Sequence, residues 1–335
     1  MNEDISLCQR PYEKLTPDLV LDAVESLGYI ANGQVLALNS YENRVYQIGL
    51  EDSSPIIAKF YRPGRWSNDG ILEEHGFAIQ LAEHDVPVVP PLLINQRSLH
   101  RYNDFQFAVY ERKLGHAPEV DQLSQLNQLG RLLGRLHSFG ATDRFEHRPR
   151  IDSQRFGHTA RQLILSSQLL PNYVEESYSN ITEQLLLLID QQMGGYFQPQ
   201  HRRIHGDFHM GNVLTRENVF WIVDLDDCSN GPAIQDIWML LSGDKADRES
   251  QLKAVMEGYH EFFDFDPSEL GLIEPLRTLR LMNYAAWLAR RWNDPAFPQS
   301  FPWFNTPRYW EEHLNTLQEQ LYILQNGEET LQLIL

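Results

Sequence analysis

The densest run of side chains able to do chemistry is 205–227, HGDFHMGNVLTRENVFWIVDLDD. An apolar strand over 219–223 ends in three carboxylates, Asp224, Asp226 and Asp227. Residues 213–214 are predicted to pair with it across a turn at 216–218. Such a hairpin brings Asn212 and Asp224 to the same end, with Asp207 in the loop beside them. One base-like carboxylate, one amide oxygen and one further carboxylate then converge. Hard oxygen donors of this kind suit Mg²⁺, which keeps several waters and binds substrate phosphates. Any one of these residues is explained as a turn former. The set is not, because a strand ending in D-x-D-D gathers like charges, a costly arrangement unless a cation neutralises it.

The histidines offer a rival chemistry. His201, His205 and His209 recur at every fourth position, which on a helix would align three zinc ligands. Gly206 and the strand-like flanks oppose a helix there. The GDFH tetrapeptide is similar to the first motif of metallophosphoesterases, but the further motifs those enzymes need do not follow.

Two kinds of element must position these groups. In the first third of the chain, 16–28 reads as a helix capped by Thr16 and stopped by Gly28. Strand-like runs follow at 34–38, 44–50 and 55–61. Residues 69–85 have helical spacing, and 98–113 read as a hairpin turning at Asn103 and Asp104. After Pro118 the pattern becomes helical, at 121–139, 153–170 and 173–193, and from 234 to the end. Gly130 and Gly134 predict close packing of their helix on a neighbour. The organisation is therefore a small mixed lobe over 1–112, a short linker at 113–118 and a larger, mainly helical lobe over 119–335. A short crossing between lobes predicts a cleft, and clefts between domains favour ligands.

Composition excludes several classes. The 335 residues carry 28 Lys and Arg against 46 Asp and Glu, a formal charge of −18. That balance argues against nucleic-acid partners, which need cations to replace counterions. It also mildly disfavours acidic proteins as substrates. The sequence has no apolar run long enough for a membrane span, and no secretory signal is expected behind Met1. Two cysteines, Cys8 and Cys228, make no framework, although one bridge between them stays open. The expected compartment is the cytoplasm.

With these residues in view, His205-Gly206-Asp207, then Asn212, then Asp224 resembles the kinase catalytic loop and its metal-binding Asp. The H-G-D form and the V-D-L-D-D run are similar to the aminoglycoside phosphotransferase and choline kinase branch. The resemblance implies an α+β, protein-kinase-like two-lobed fold of that type. It implies ATP and Mg²⁺ as cofactors, with 1–112 as the ATP-binding lobe and 119–335 as the catalytic and acceptor lobe. Asp207 would accept the substrate hydroxyl proton, and Asp224 is the second catalytic carboxylate. Asn212 and Asp224 would hold Mg²⁺. Ile57-Ala58-Lys59 is similar to the kinase V-A-I-K strand, so Lys59 would hold the ATP phosphates, fixed by Glu74, or failing that Glu73. Backbone at Val109 and Glu111 would bind adenine. Asp226 would bind a second ion or shape the loop, Asp236 would support the catalytic loop, and His205 would brace it.

The sequence departs from kinases in two places. No G-x-G-x-x-G loop exists; residues 39–44 stand there instead, and Ser40 with backbone amides would have to contact the phosphates. D-F-G is replaced by D-L-D, so no phosphorylation-switched activation loop is expected. Longer strings, among them LNSYENRVYQ, KFYRP, NGPAIQDIWMLLSGDKA and WNDPAFP, resemble a bacterial Ser/Thr protein-kinase group over nearly the whole chain. This implies a monomeric kinase of proteins, tied to stress responses. A small-alcohol kinase shares all the ATP chemistry and differs only in its acceptor site. A nucleotide-binding pseudokinase is disfavoured, because Lys59, Asp207, Asn212 and Asp224 are all present. Aromatic residues over 284–310 would form either core or an acceptor floor, and Arg290 and Arg291 could read an acidic acceptor.

Overall fold

A computed structural model describes residues 10–119, 122–194, 201–327 and 331–332. The chain forms two compact units. The first holds the described residues up to His116, and two later stretches return to it, Leu214–Asp226 and Asn293–Phe297. The second holds the remaining described residues.

In the first unit, helix α1 (Pro17–Glu25) starts where Thr16 Oγ1 accepts the Leu19 N–H. Its apolar face buries Val20, Ala23 and Val24. Strands β1 (Ala31–Ala37), β2 (Arg44–Leu50) and β3 (Ile56–Phe60) are followed by helix α2 (Asn68–Glu83). The hairpin β4 (His100–Tyr102) and β5 (Phe105–Glu111) turns at Asn103, which takes a positive φ of 50°. The five strands form an antiparallel sheet ordered β1-β2-β3-β5-β4. Side chains alternate across β3. Ala58 and Phe60 enter the core with α1, Ile48 and Phe107. Lys59 therefore points to the opposite face, where Tyr61, Ala108 and Ile71 of α2 pack together.

In the second unit, helix α3 (Leu123–Gly140) is followed by a π-helical turn at Gln154–His158 and helix α4 (Thr159–Ser166). The sequence predicts one plain helix over 153–170. The widened turn has a local partner, because the Thr159 hydroxyl donates to the Gln154 carbonyl at 2.9 Å. Helix α5 (Asn172–Gly194) and strand β6 (Arg202–Ile204) come next. The hairpin β7 (Val213–Arg216) and β8 (Val219–Ile222) turns through Glu217 and Asn218, both at positive φ (54° and 62°), as a tight two-residue connection requires. The part of it from Leu214 on is sewn into the first unit. The Ile222 N–H donates to Pro87 O at 2.8 Å, and Thr215 exchanges backbone bonds with His116.

Strand β9 (Ser229–Gly231) pairs with β6. Helices α6 (Ile234–Trp238), α7 (Lys245–Tyr259), α8 (Ile273–Arg291), α9 (Ala296–Ser300) and α10 (Pro307–Asn326) complete the chain. Close packing of the Gly130 helix is observed. A β-carbon there would stand 2.0 Å from the Val255 carbonyl, and one on Gly134 would stand 2.6 Å from that of Tyr259. Among the described residues, no helix is long and apolar enough to cross a membrane. Cys228 is buried, and Cys8 lies outside the described residues.

The C-terminal packing carries a pH dependence. His313 of α10 is buried, with its ring against Tyr309 (5.7 Å between centroids) and Tyr178 (6.1 Å). Its Nε2 has no hydrogen-bond partner among the described residues. Burial pushes the imidazole down to about 4 from an ordinary 6.5. The unfolded chain therefore binds the extra proton first as pH falls, and stability is lost between pH 6.5 and 4. About 2 kcal/mol of the wild type's stability is expected to depend on His313 between pH 7 and pH 5. Urea unfolding at the two pH values should show that much less acid loss in His313→Phe. Equal acid loss in both proteins would rule the effect out.

Candidate active site

In the first unit, three carboxylates converge on one ammonium. Lys59 Nζ lies 3.0 Å from Asp224 Oδ1, 3.3 Å from Glu74 Oε1 and 3.4 Å from Asp226 Oδ1. The pairing with α2 is through Glu74, which is buried, so the alternative at Glu73 falls away. Burial alone would push the Lys59 ammonium down. The carboxylates of Asp224, Asp226 and Glu74 outweigh that and hold it well above its ordinary value. Asp226 is engaged a second time by Arg65. The like charges at the end of β8 are thus neutralised in part by the chain's own Lys59 and Arg65. Asp224 differs from its neighbours: its side chain is 54% exposed and its backbone is left-handed, with φ at 58°. That exposure leaves carboxylate oxygen open to a ligand.

The loop standing in place of a glycine-rich one is held by side chains. The Ser40 hydroxyl donates to the Asn43 carbonyl at 3.0 Å. Asn43 is buried and its Oδ1 accepts the Arg62 N–H at 3.1 Å. The Glu42 carbonyl accepts from Tyr12 Oη and Arg62 Nε. Arg62 also pairs with Asp294 and covers the Phe297 ring, which ties the stretch 293–297 to this unit. Of the two residues expected at adenine, Val109 is wholly buried and its carbonyl already accepts the Leu92 N–H at 2.7 Å. Glu111 ends β5, with its carboxylate exposed and paired to Lys113.

In the second unit, β6 delivers the loop that follows it. Gly206 has φ +84°, and a β-carbon there would stand 2.2 Å from the Asp227 carbonyl, so only glycine fits between His205 and Asp207. Asp236, fully buried at the start of α6, accepts the His205 and Gly206 N–H groups, each at 2.8 Å. Its carboxylate also accepts His137 Nε2–H at 3.0 Å, and the Tyr259 hydroxyl donates to the other ring nitrogen of His137. Burial lowers the pKa of His137, so it fits as a neutral donor. Asp236 thus braces the loop, as the sequence leads one to expect.

Asp207 is held at both ends. Asn212 Nδ2 donates to its carbonyl at 3.0 Å, which leaves the Asn212 amide oxygen as an acceptor. Arg280 Nη1 of α8 donates to Oδ1 at 2.8 Å, and His209 Nε2 lies 3.5 Å from Oδ2. Burial alone would raise the carboxyl. The hydrogen bond from His209 and the Arg280 guanidinium outweigh it and keep Asp207 well below the usual carboxylate range. The three histidines do not converge. His201 meets the Asn230 carbonyl and His205 packs on Phe208, while His209 turns to Asp207. Among the described residues, no three His, Cys, Asp or Glu side chains gather as a metal site.

The sequence reading missed Arg65 and Arg280. Neither sits in a motif, and each reaches its carboxylate from an element far away in sequence. His209 was visible only as a zinc candidate.

A kinase-like α+β fold with a lysine among carboxylates and a braced H-G-D loop defines a phosphotransferase. The model of the phosphotransferase enzyme family (APH) matches residues 34–273, and the chain belongs to that family. It is an ATP-dependent phosphotransferase. Stress response kinase A of Escherichia coli (strain K12) is 44% identical over 314 residues, 94% of this chain and 95% of that protein. The serine/threonine protein kinase RdoA of Salmonella typhimurium is 42% identical over 313 residues, 93% of this chain and 94% of that protein. Among solved structures, amicoumacin kinase hAmiN, in complex with AMP-PNP, Ca²⁺ and Ami, has a TM-score of 0.72 at 20% identity and 95% coverage of each chain. A choline kinase from Cryptosporidium parvum has a TM-score of 0.62 at 12% identity, covering 94% of this chain and 98% of that one. At these identities the structural likeness concerns the fold.

Proposed function

We propose that this chain is a Ser/Thr protein kinase, using Mg·ATP in the cytoplasm as a monomer with a role in stress response. The observation that carries the chemistry is the ionised Asp207, fixed by a braced loop and bonded through its carbonyl to Asn212. The protein acceptor rests on the 42% identity to a relative named as a serine/threonine protein kinase, and the stress role on the 44% identity to one named as a stress response kinase.

In this reading the acceptor hydroxyl oxygen attacks the γ-phosphorus as the bond to the β–γ bridging oxygen breaks. ADP leaves with that electron pair, and Asp207 takes the hydroxyl proton. The transition state is loose, so positioning and charge neutralisation supply most of the rate. Lys59, held by Glu74, orients the phosphates. The first unit binds ATP, with Ser40 near the phosphates and the Glu111 backbone at adenine. The exposed carboxylate of Asp224 and the remaining amide oxygen of Asn212 are hard donors that fit Mg²⁺. When bound, Mg²⁺ would neutralise charge developing on the phosphates. Asp226, occupied by Lys59 and Arg65, shapes the loop.

A small-alcohol kinase is the second reading, favoured by the names of the structural neighbours. A choline-type pocket needs a closed aromatic cage. Here Tyr284 and Trp303 are 40% and 43% exposed, at two points along a run of rings from Tyr284 through Trp287 and Phe301 to Tyr309. An open floor of this kind supports a larger acceptor. Offering a generic basic protein beside choline, homoserine and an aminoglycoside tests the choice. Phosphoserine or phosphothreonine in the protein is expected, and label confined to a small alcohol would decide for the second reading.

A further inference from the structure

Arg280 sits on the catalytic carboxylate, yet no phosphoryl chemistry requires a cation there. Its contact with Asp207 Oδ1 is its one ion pair among the described residues, made through a single Nη1 donor. The side chain is 45% exposed, and one of the guanidinium's five N–H donors is used in this contact. Arg277, one turn earlier, is spent differently, on Glu274 at 3.5 Å and over the Trp238 ring.

The whole helix departs from the character of the chain. Helix α8 carries four arginines and one acid in a protein of formal charge −18. One turn beyond Arg280, the exposed Tyr284 packs on Trp287, 5.6 Å between centroids. Beside Asp207, then, lies a planar cation with unspent donors, followed by an exposed aromatic surface.

We propose that Arg280 reads an anionic group, carboxylate or phosphate, placed next to the acceptor hydroxyl. This rests on the protein-kinase reading and specifies its substrate: Ser or Thr flanked by an acidic or phosphorylated residue. Before the acceptor arrives, Arg280 pairs with Asp207. The acceptor's anion then takes the guanidinium bidentately, the geometry that arginine offers to carboxylate and phosphate. Asp207 keeps its charge and gains a free oxygen for the hydroxyl proton. The chain's overall acidity disfavours acidic partners at long range, but screening confines that effect to about a Debye length. At the site itself, the local cation governs.

The test uses the full chain with Mg·ATP and serine peptides identical except for the neighbouring residue, which is Asp, phosphoserine or Asn. Wild type should prefer the anionic peptides about tenfold or more in kcat/KM, since a charge-assisted bidentate contact exceeds a neutral one by at least that. Arg280→Gln should bring the ratio near one, with the loss appearing in KM for the anionic peptide. Arg280→Lys should keep part of it, and an unchanged unfolding midpoint separates recognition from misfolding. Preference for only one of Asp and phosphoserine identifies which anion is read. No anion preference in wild type, or a preference surviving in Arg280→Gln, overturns the proposal. If only small alcohols are labelled, the protein-kinase reading fails, and the same contrast between homoserine and its neutral amino-alcohol counterpart then decides for or against Arg280. If nothing accepts phosphate, both fall.

Discussion

Asp207→Asn is expected to lower kcat by about 10²–10⁴-fold, the range for removing a positioned general base. Nucleotide affinity should hold. The substitution is nearly isosteric and leaves the backbone contacts that shape the loop, the Asn212 bond to the Asp207 carbonyl and the Asp236 brace on His205 and Gly206. It removes the carboxylate that His209 and Arg280 hold below the usual range. Single-turnover transfer, paired with nucleotide titration, separates the two effects. A loss in nucleotide binding as large as the loss in turnover would mean that Asp207 is structural.

Lys59→Met has the second large effect, and it falls on stability as well as activity. The ammonium is buried and touches Glu74, Asp224 and Asp226. Without it, Glu74 loses the ammonium 3.3 Å away, and Asp226 retains Arg65. Breaking a buried pair from one side costs about 3–5 kcal/mol, because an uncompensated charge stays behind. The carboxylates so exposed to one another would hold protons more tightly folded than unfolded. The variant's deficit should therefore shrink as pH falls from 8 to 5, opposite in direction to the acid loss from His313. Urea unfolding of both proteins at those two pH values measures this. Glu74→Gln added to Lys59→Met should restore part of the loss. A deficit under about 1 kcal/mol, or one that grows in acid, would show that the cluster is not electrostatically coupled.

Local patterning made much of this molecule legible. Strands β2 and β3, helix α2 and the β7–β8 hairpin carry their own signals, alternation, periodicity and turn residues at positive φ. The tight triplet His205-Gly206-Asp207 could be read because its glycine is sterically required. Asp236 was legible only through resemblance, since a carboxylate in a first helical turn has an ordinary local explanation. What stayed hidden depends on distant pairing. Nothing near Arg65 announces Asp226, and nothing near Arg280 announces Asp207. The same holds for Val109, whose carbonyl is taken by Leu92, a contact set by the course of the chain after α2. Nor does sequence order show that 214–226 and 293–297 belong with the first unit. Backbone bonds to Pro87 and His116, and the Arg62–Asp294 pair, decide that.

The most direct test of the account is γ-phosphoryl transfer from radiolabelled Mg·ATP to a basic protein acceptor, with wild type beside Asp207→Asn. Label on serine or threonine of the acceptor, lost in the variant while ATP still binds, is the predicted result. Equal label from both proteins, or none from wild type that binds ATP, would contradict the assignment of Asp207 as the base of a protein kinase.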